Sequence, residues 1–186
     1  MNRLFDKKQQ PKKGVKTARE IAFAALFVAL VIGTQFVLSA VPGIELVTVL
    51  FTAYAFVFGA KRGMLAATAF SLVRQFVFGF FPNVLILYLV YYNALTLCMG
   101  ALGKMGEPKK GFVWVIVLAC VCTVGFHLLD FLLTAIIGGY SDAARQIYFS
   151  AMLPVLFTQV ICAAVTVGAL FLPLCKIFLL VKGKIK

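Results

Sequence analysis

Charge is what this chain has least of. Asp, Glu, Lys and Arg together make up 13% of its 186 residues while 63% are hydrophobic, and the mean hydropathy is +1.03. Soluble domains average about 25% charged and about 45–50% apolar residues, so that class is excluded and the chain reads as an integral membrane protein. Other shortages exclude chemistries. A single histidine and no HExxH pattern exclude a membrane metalloprotease. The stretch "GALGKMG" at 100–106 lacks both the spacing and the hydroxyl of a GxxxxGK[ST] phosphate loop, so the chain is not expected to hydrolyse ATP alone. No GxSxG elbow is present for a serine hydrolase. Five cysteines (Cys98, Cys120, Cys122, Cys162, Cys175) form no CxxC pair and no metal-like spacing, and read as buried small hydrophobes. The expectation is a protein that is not an enzyme and holds no metal or cofactor.

Long apolar runs are what the sequence does have. With about 20 residues needed per span, six runs qualify, at 17–39, 45–60, 63–81, 83–102, 111–137 and 150–181. Turn chemistry separates them: "VPG" at 41–43, "GAKRG" at 59–63, "FGFFPN" at 78–83, "GKMGEPKKG" at 103–111 and "GGYSDAAR" at 138–145. The expected architecture is all-α, with a basic cytoplasmic tail over 1–16 and one six-helix membrane domain over 17–186. The first run follows that tail as a signal peptide would, but it is longer than the 7–15 residues typical of a signal core, so it reads as a retained helix. No internal repeat relates the two halves.

Positive charge gives the orientation. All but Arg74 and Arg145 of the 18 Lys and Arg fall in the N-terminal tail, the second connection (Lys61, Arg62), the fourth (Lys104, Lys109, Lys110) or the C-terminal end (Lys176, Lys182, Lys184, Lys186). The first and third connections carry none. By the positive-inside rule both termini are cytoplasmic and the odd-numbered connections face outward. The net charge of +12 is then a topology signal, and no nucleic-acid partner is expected.

Orientation places the polar residues by depth. Gln35, Glu45, Thr48, Thr52, Arg74, Gln75, Asn83, Tyr88, Tyr91, Tyr92, Asn93, His127, Asp130, Tyr148, Thr158 and Gln159 lie in the outer half or near the middle. An ionisable residue at the centre of a bilayer helix costs about 2.5–3.5 kcal/mol, so Glu45, Arg74, His127 and Asp130 facing lipid would cost about 10 kcal/mol. They are expected to converge. Two arrangements satisfy that: a buried ionic cluster of Arg74 with Asp130 or Glu45 that only joins helices, or a ligand pocket open to the outside. His127 and Asp130, three apart, share a helix face. The candidate ligand-binding residues are Glu45, Arg74, Gln75, Asn83, Tyr88, Tyr92, His127, Asp130 and Gln159.

The inner half of the first run has a different pattern. In "TAREIAFAALFVAL", Ala18, Ala22, Ala25 and Ala29 fall at steps of four, three and four, a ridge of small residues along one helix face. Such ridges let helices approach closely in a membrane, within this chain or against a partner.

Six spans, internal termini, an AxxxA motif in the inner half of the first helix and a polar outer half resemble the substrate-binding S component of an energy-coupling factor (ECF) transporter. The passage "VPGIELVTVLFTAYAFVFGAKRGMLAA" is similar to the region between the first and third helices of several S components. The resemblance implies an S-component-like bundle in a prokaryotic plasma membrane. It implies that Ala25 and Ala29, extended by Ala22 and Ala18, dock on a transmembrane coupling protein carried by two ATPases. It also implies that outer loops at 40–45 and 138–149 gate the pocket, and that the unit topples in the bilayer to deliver its ligand.

For a ligand, Arg74 and His127 offer cationic donors to a carboxylate or a polarised carbonyl, and tyrosines 88, 91, 92, 140 and 148 offer flat faces. A water-soluble vitamin or related heteroaromatic compound fits; riboflavin, folate, thiamin, a queuosine precursor and a corrinoid all answer that description. The competing expectation is a small proton-coupled secondary carrier with Asp130 and His127 as proton relay, against which the missing repeat counts.

Overall fold

The structure, a computed structural model, describes residues 18–40 and 46–185, leaving the basic tail and Glu45 outside the described residues. All regular structure among the described residues is helical. Six α-helices follow one another: α1 (Ala18–Leu38), α2 (Val47–Phe58), α3 (Ala60–Phe78), α4 (Pro82–Leu102), α5 (Phe112–Ile137) and α6 (Asp142–Ile185), with a 3₁₀ turn at Gly103–Met105 after α4.

Breaks between helices are tighter than the turn residues suggest. The expected turn over 59–63 contracts to Gly59, whose φ of 88° is open to glycine and closed to most other residues. Its N–H caps α2 by donating to Ala55 O at 2.8 Å, and α3 starts at the next residue. Lys61 and Arg62 therefore belong to the first turn of α3. Pro82 opens α4, where a missing N–H costs nothing. The expected loop at 138–149 is corrected most. Ser141 Oγ accepts from Ala144 N at 3.4 Å, Asp142 stands in the first turn, and α6 runs from there, so the connection is only 138–141. The acidic first turn favours the helix N-terminus, and Asp142 also pairs with Arg145.

Side-chain pairings give the helix directions. Glu20 at the start of α1 meets Arg62 at the start of α3 at 2.6 Å. Lys182 near the end of α6 donates to the carbonyl of Val57 at the end of α2. Phe23 of α1 packs on Phe58 of α2 and Phe178 of α6, and Phe112 of α5 on Phe171 of α6. The six helices thus alternate in direction. The starts of α1, α3 and α5 and the ends of α2, α4 and α6 form one end, carrying Lys61, Arg62, Lys104, Lys109, Lys110, Lys176 and Lys182. We call it the basic end.

Helix α2 is the axis of the core, with every residue from Val47 to Val57 buried. Phe51 at its centre touches the rings of Phe27, Phe70 and Tyr92 at 5.4, 5.3 and 4.9 Å between centroids. Small residues bring the basic end together. A Cβ on Gly100 would lie 2.3 Å from Ala60 N, and one on Gly103 2.2 Å from Phe56 O.

Four helical stretches are long and apolar enough to cross a membrane: Ala18–Leu38, Pro82–Met105, Phe112–Ile137 and Asp142–Gly183. At 1.5 Å per residue, the 12-residue α2 is about 18 Å long, short of the roughly 30 Å hydrocarbon core. The expected span at 45–60 is therefore a short helix sheathed by its neighbours. The 19-residue α3 is charged at its start and carries Arg74, which keeps it outside that group of four. The outer surface is apolar: Phe76 is 91% exposed, Leu180 72% and Leu26 69%. A soluble protein seldom shows an apolar patch beyond about 300–600 Å²; this chain fits a transmembrane protein.

Candidate functional site

Opposite the basic end, the predicted polar residues form two groups separated by aromatic rings. The first joins α1, α3 and α4. Gln35 donates from Nε2 to the Tyr88 hydroxyl at 3.0 Å, and its Oε1 accepts from Arg74 Nε at 3.1 Å. The Arg74 guanidinium carbon lies 4.6 Å from the Phe78 ring centre and 4.4 Å from that of Tyr88. Cation–π contact and a fixed amide hold its plane in one orientation.

The second group joins α5 and α6. His127, buried, shares a 3.0 Å hydrogen bond between Nε2 and Gln159 Oε1. The Tyr148 hydroxyl donates to Asp130 Oδ2 at 2.6 Å, a charge-assisted bond. His127 and Asp130 share a face, as their spacing implies, and that face meets Gln159 and Tyr148 of α6. Between the groups run Tyr88, Tyr91 and Phe126, with Phe126 at 6.0 Å from Tyr88, 4.8 Å from Tyr91 and 5.5 Å from the His127 ring.

Arg74 and Asp130 do not form an ion pair among the described residues, where the three pairs are Arg62–Glu20, Lys110–Glu107 and Arg145–Asp142. The polar residues share one end of the bundle without converging into a charge cluster. Two further candidates have structural work. Gln75 donates to Ser71 O and accepts from Phe81 N, each at 3.3 Å, pinning the connection into α4. Tyr92 is 1% exposed, in the core beside Phe51 and Phe70. Asn83 stands half-buried in the first turn of α4. Glu45 lies outside the described residues.

Depth alone marked Gln35 and Tyr148 as polar residues of this half but not as holders of the two charges. The pattern that could have singled them out is the pairing of one amide or phenol with each intramembrane ion. Phe78 and Phe126 carried no such signal, because phenylalanine is common throughout the sequence.

Three cavities stand out elsewhere. A purely aliphatic groove of about 450 Å³ runs between α1 and α3, lined on α1 by Ala25, Val28, Ala29 and Ile32 among others and on α3 by Leu65, Ala66, Ala69 and Val73. Ala18, Ala22, Ala25 and Ala29 are all exposed, so the ridge is not consumed by packing within the chain. An open depression of about 680 Å³ lies at the start of α6, by Phe131, Arg145 and Phe149. A third, of about 280 Å³, lies at the basic end by Lys109, Cys175 and Lys176.

Comparison with family models, with curated proteins and with solved structures returned no match. Function therefore rests on the chain's own geometry.

Proposed function

We propose that this chain is the substrate-binding S component of an ECF-type importer, crossing a prokaryotic plasma membrane six times with both termini in the cytoplasm. Its polar end takes a water-soluble vitamin or related micronutrient from outside. Its α1–α3 groove docks on a transmembrane coupling protein that two ATPases drive. One observation carries the reading: ligand-type chemistry and an uncovered small-residue face sit in opposite halves of the same bundle. Arg74, Tyr88, His127 and Asp130 stand at the end remote from the lysines. Ala18, Ala22, Ala25 and Ala29 lie open along α1 from its basic-end start to its middle, two of them in an aliphatic groove of about 450 Å³.

The groove suits a helix. Small residues on α1 and α3 let a partner backbone come close, and close packing is what drives helix association in lipid. The short α2, buried on every side, makes the second of the six passages inside the bundle, out of contact with lipid, and leaves the polar end unfilled by a continuous helix. The four charge-poor long helices hold this frame in the bilayer.

Replacing Ala25 or Ala29 by Phe is expected to abolish uptake and assembly with the coupling module while leaving ligand affinity within about twofold. Copurification and equilibrium binding measure the two effects. Normal uptake by both variants would remove the docking role. A proton-coupled carrier, with His127 and Asp130 as relay, would instead lose uptake when a protonophore collapses the gradient.

A further inference from the structure

We infer that the ligand of the polar end is a monoanion, held by its carboxylate on the terminal edge of Arg74; this rests on the receptor reading above and names the class of molecule received. Arg74 is in an unusual state for an intramembrane cation. Its guanidinium lies against two rings, Phe78 at 4.6 Å and Tyr88 at 4.4 Å, and its Nε is bonded to Gln35 at 3.1 Å. Gln35 in turn is fixed by donating to Tyr88 at 3.0 Å. The plane cannot turn without breaking those contacts, and the two terminal nitrogens have no hydrogen-bond partner among the described residues.

The charge balance points the same way. Of the carboxylates among the described residues, Glu20 is paired with Arg62, Glu107 with Lys110 and Asp142 with Arg145, while Asp130 accepts from the neutral Tyr148 hydroxyl and forms no ion pair with a described residue. None faces Arg74. A half-buried cation that the fold orients and that no described carboxylate pairs with is stabilised when a partner brings the opposite charge. The free Nη1–Nη2 edge presents two parallel donors, the fork that matches the two oxygens of a carboxylate. One guanidinium neutralises one negative charge, which favours a carboxylate over a phosphate dianion. A cationic ligand would meet repulsion from the guanidinium, and an uncharged one would leave its terminal edge without an anionic partner. His127 offers no comparable fork, since its Nε2 is engaged by Gln159 at 3.0 Å and one ring nitrogen is left.

The test is equilibrium dialysis of the purified full-length chain against acid and amide partners that differ only at the carboxylate, nicotinate with nicotinamide and biotin with biotin amide. Riboflavin and thiamin are added as ligands without a carboxylate, and folate as a dicarboxylate whose tightest binding would overturn the monoanionic class. Nicotinate or biotin is expected to bind tightest, at least 100-fold better than its amide. Arg74→Gln should weaken that acid at least 30-fold, and Arg74→Lys, which keeps the charge but not the fork, about 10-fold. Should Arg74→Gln fail to fold, Gln35→Leu replaces it, with an expected loss of about 5-fold through lost orientation. Tightest binding of riboflavin, thiamin or an amide, or an acid indifferent to these substitutions, overturns the anionic class and leaves the receptor reading standing. Binding of none of the probes counts against both.

Discussion

Hydroxyls inside this bundle are mostly bonded to the carbonyl one turn back on their own helix: Thr34 to Leu30, Ser71 to Ala67, Thr96 to Tyr92, Thr123 to Ala119, Thr158 to Pro154 and Thr166 to Cys162. That bond removes the cost of placing a polar group where no water is present. Thr52 departs from the pattern. It is fully buried on α2, and its Oγ1 has no partner among the described residues. An unsatisfied buried hydroxyl costs about 1–3 kcal/mol, so Thr52→Val, nearly equal in shape, is expected to raise the melting temperature of the purified protein. Thr123→Val, which gives up a made bond, should not. At the basic end, Glu20 and Arg62 form a half-buried ion pair at 2.6 Å. Glu20→Gln is expected to cost about 1.5–3 kcal/mol, the range for a hydrogen bond to a charged group, read as a lower midpoint in thermal unfolding with ligand affinity unchanged.

Glycine marks where helices touch. Gly100 of α4 lies against the backbone of Ala60, with 2.3 Å left for a Cβ, whereas Gly125 of α5 faces open space. Overpacking costs about 1–3 kcal/mol, while alanine in a helix gains up to about 1 kcal/mol over glycine. Gly100→Ala should therefore destabilise and Gly125→Ala should not, a contrast that thermal unfolding of the two variants measures. Helix existence was legible in the sequence because each apolar run is longer than a turn can interrupt, and six helices are found where six runs stood. Boundaries were less legible. The residues Ser141 and Asp142 looked like loop composition but act as a helix start, and Gly59 alone does the work that five turn residues seemed to share. Length misled at α2: its residues are apolar because neighbours bury them on every side, not because lipid does. The site was legible as a depth but not as a contact map. Which carboxylate meets which cation depends on helix rotation, and rotation is set by packing that periodicity does not reveal in helices apolar all round. Hence the sequence leaves open whether Arg74 pairs with Asp130, with Glu45 or lines a pocket, while in the fold Gln35, Phe78 and Tyr88 hold it.

For the molecule as a whole, alternation of helix direction separates a basic end from a polar end, and the proposed topology, which follows the positive-inside rule, puts the basic end in the cytoplasm. In a variant lacking native cysteines, Ser141→Cys is expected to react with a membrane-impermeant maleimide added to intact cells, and Pro108→Cys only after lysis. The reverse pattern would invert the proposed topology. Exposed apolar residues such as Phe76 and Leu180 should tolerate apolar exchange with less than about 0.5 kcal/mol change, as surface positions do. The measurement that bears most directly on the importer reading is mass spectrometry of small molecules retained by the full-length chain purified without ATP, coupling partners or an ion gradient. An S component should carry one water-soluble micronutrient close to one per chain, and Ala29→Phe should carry the same amount while losing uptake in cells. A chain that retains nothing, and whose uptake vanishes with a protonophore, would contradict it.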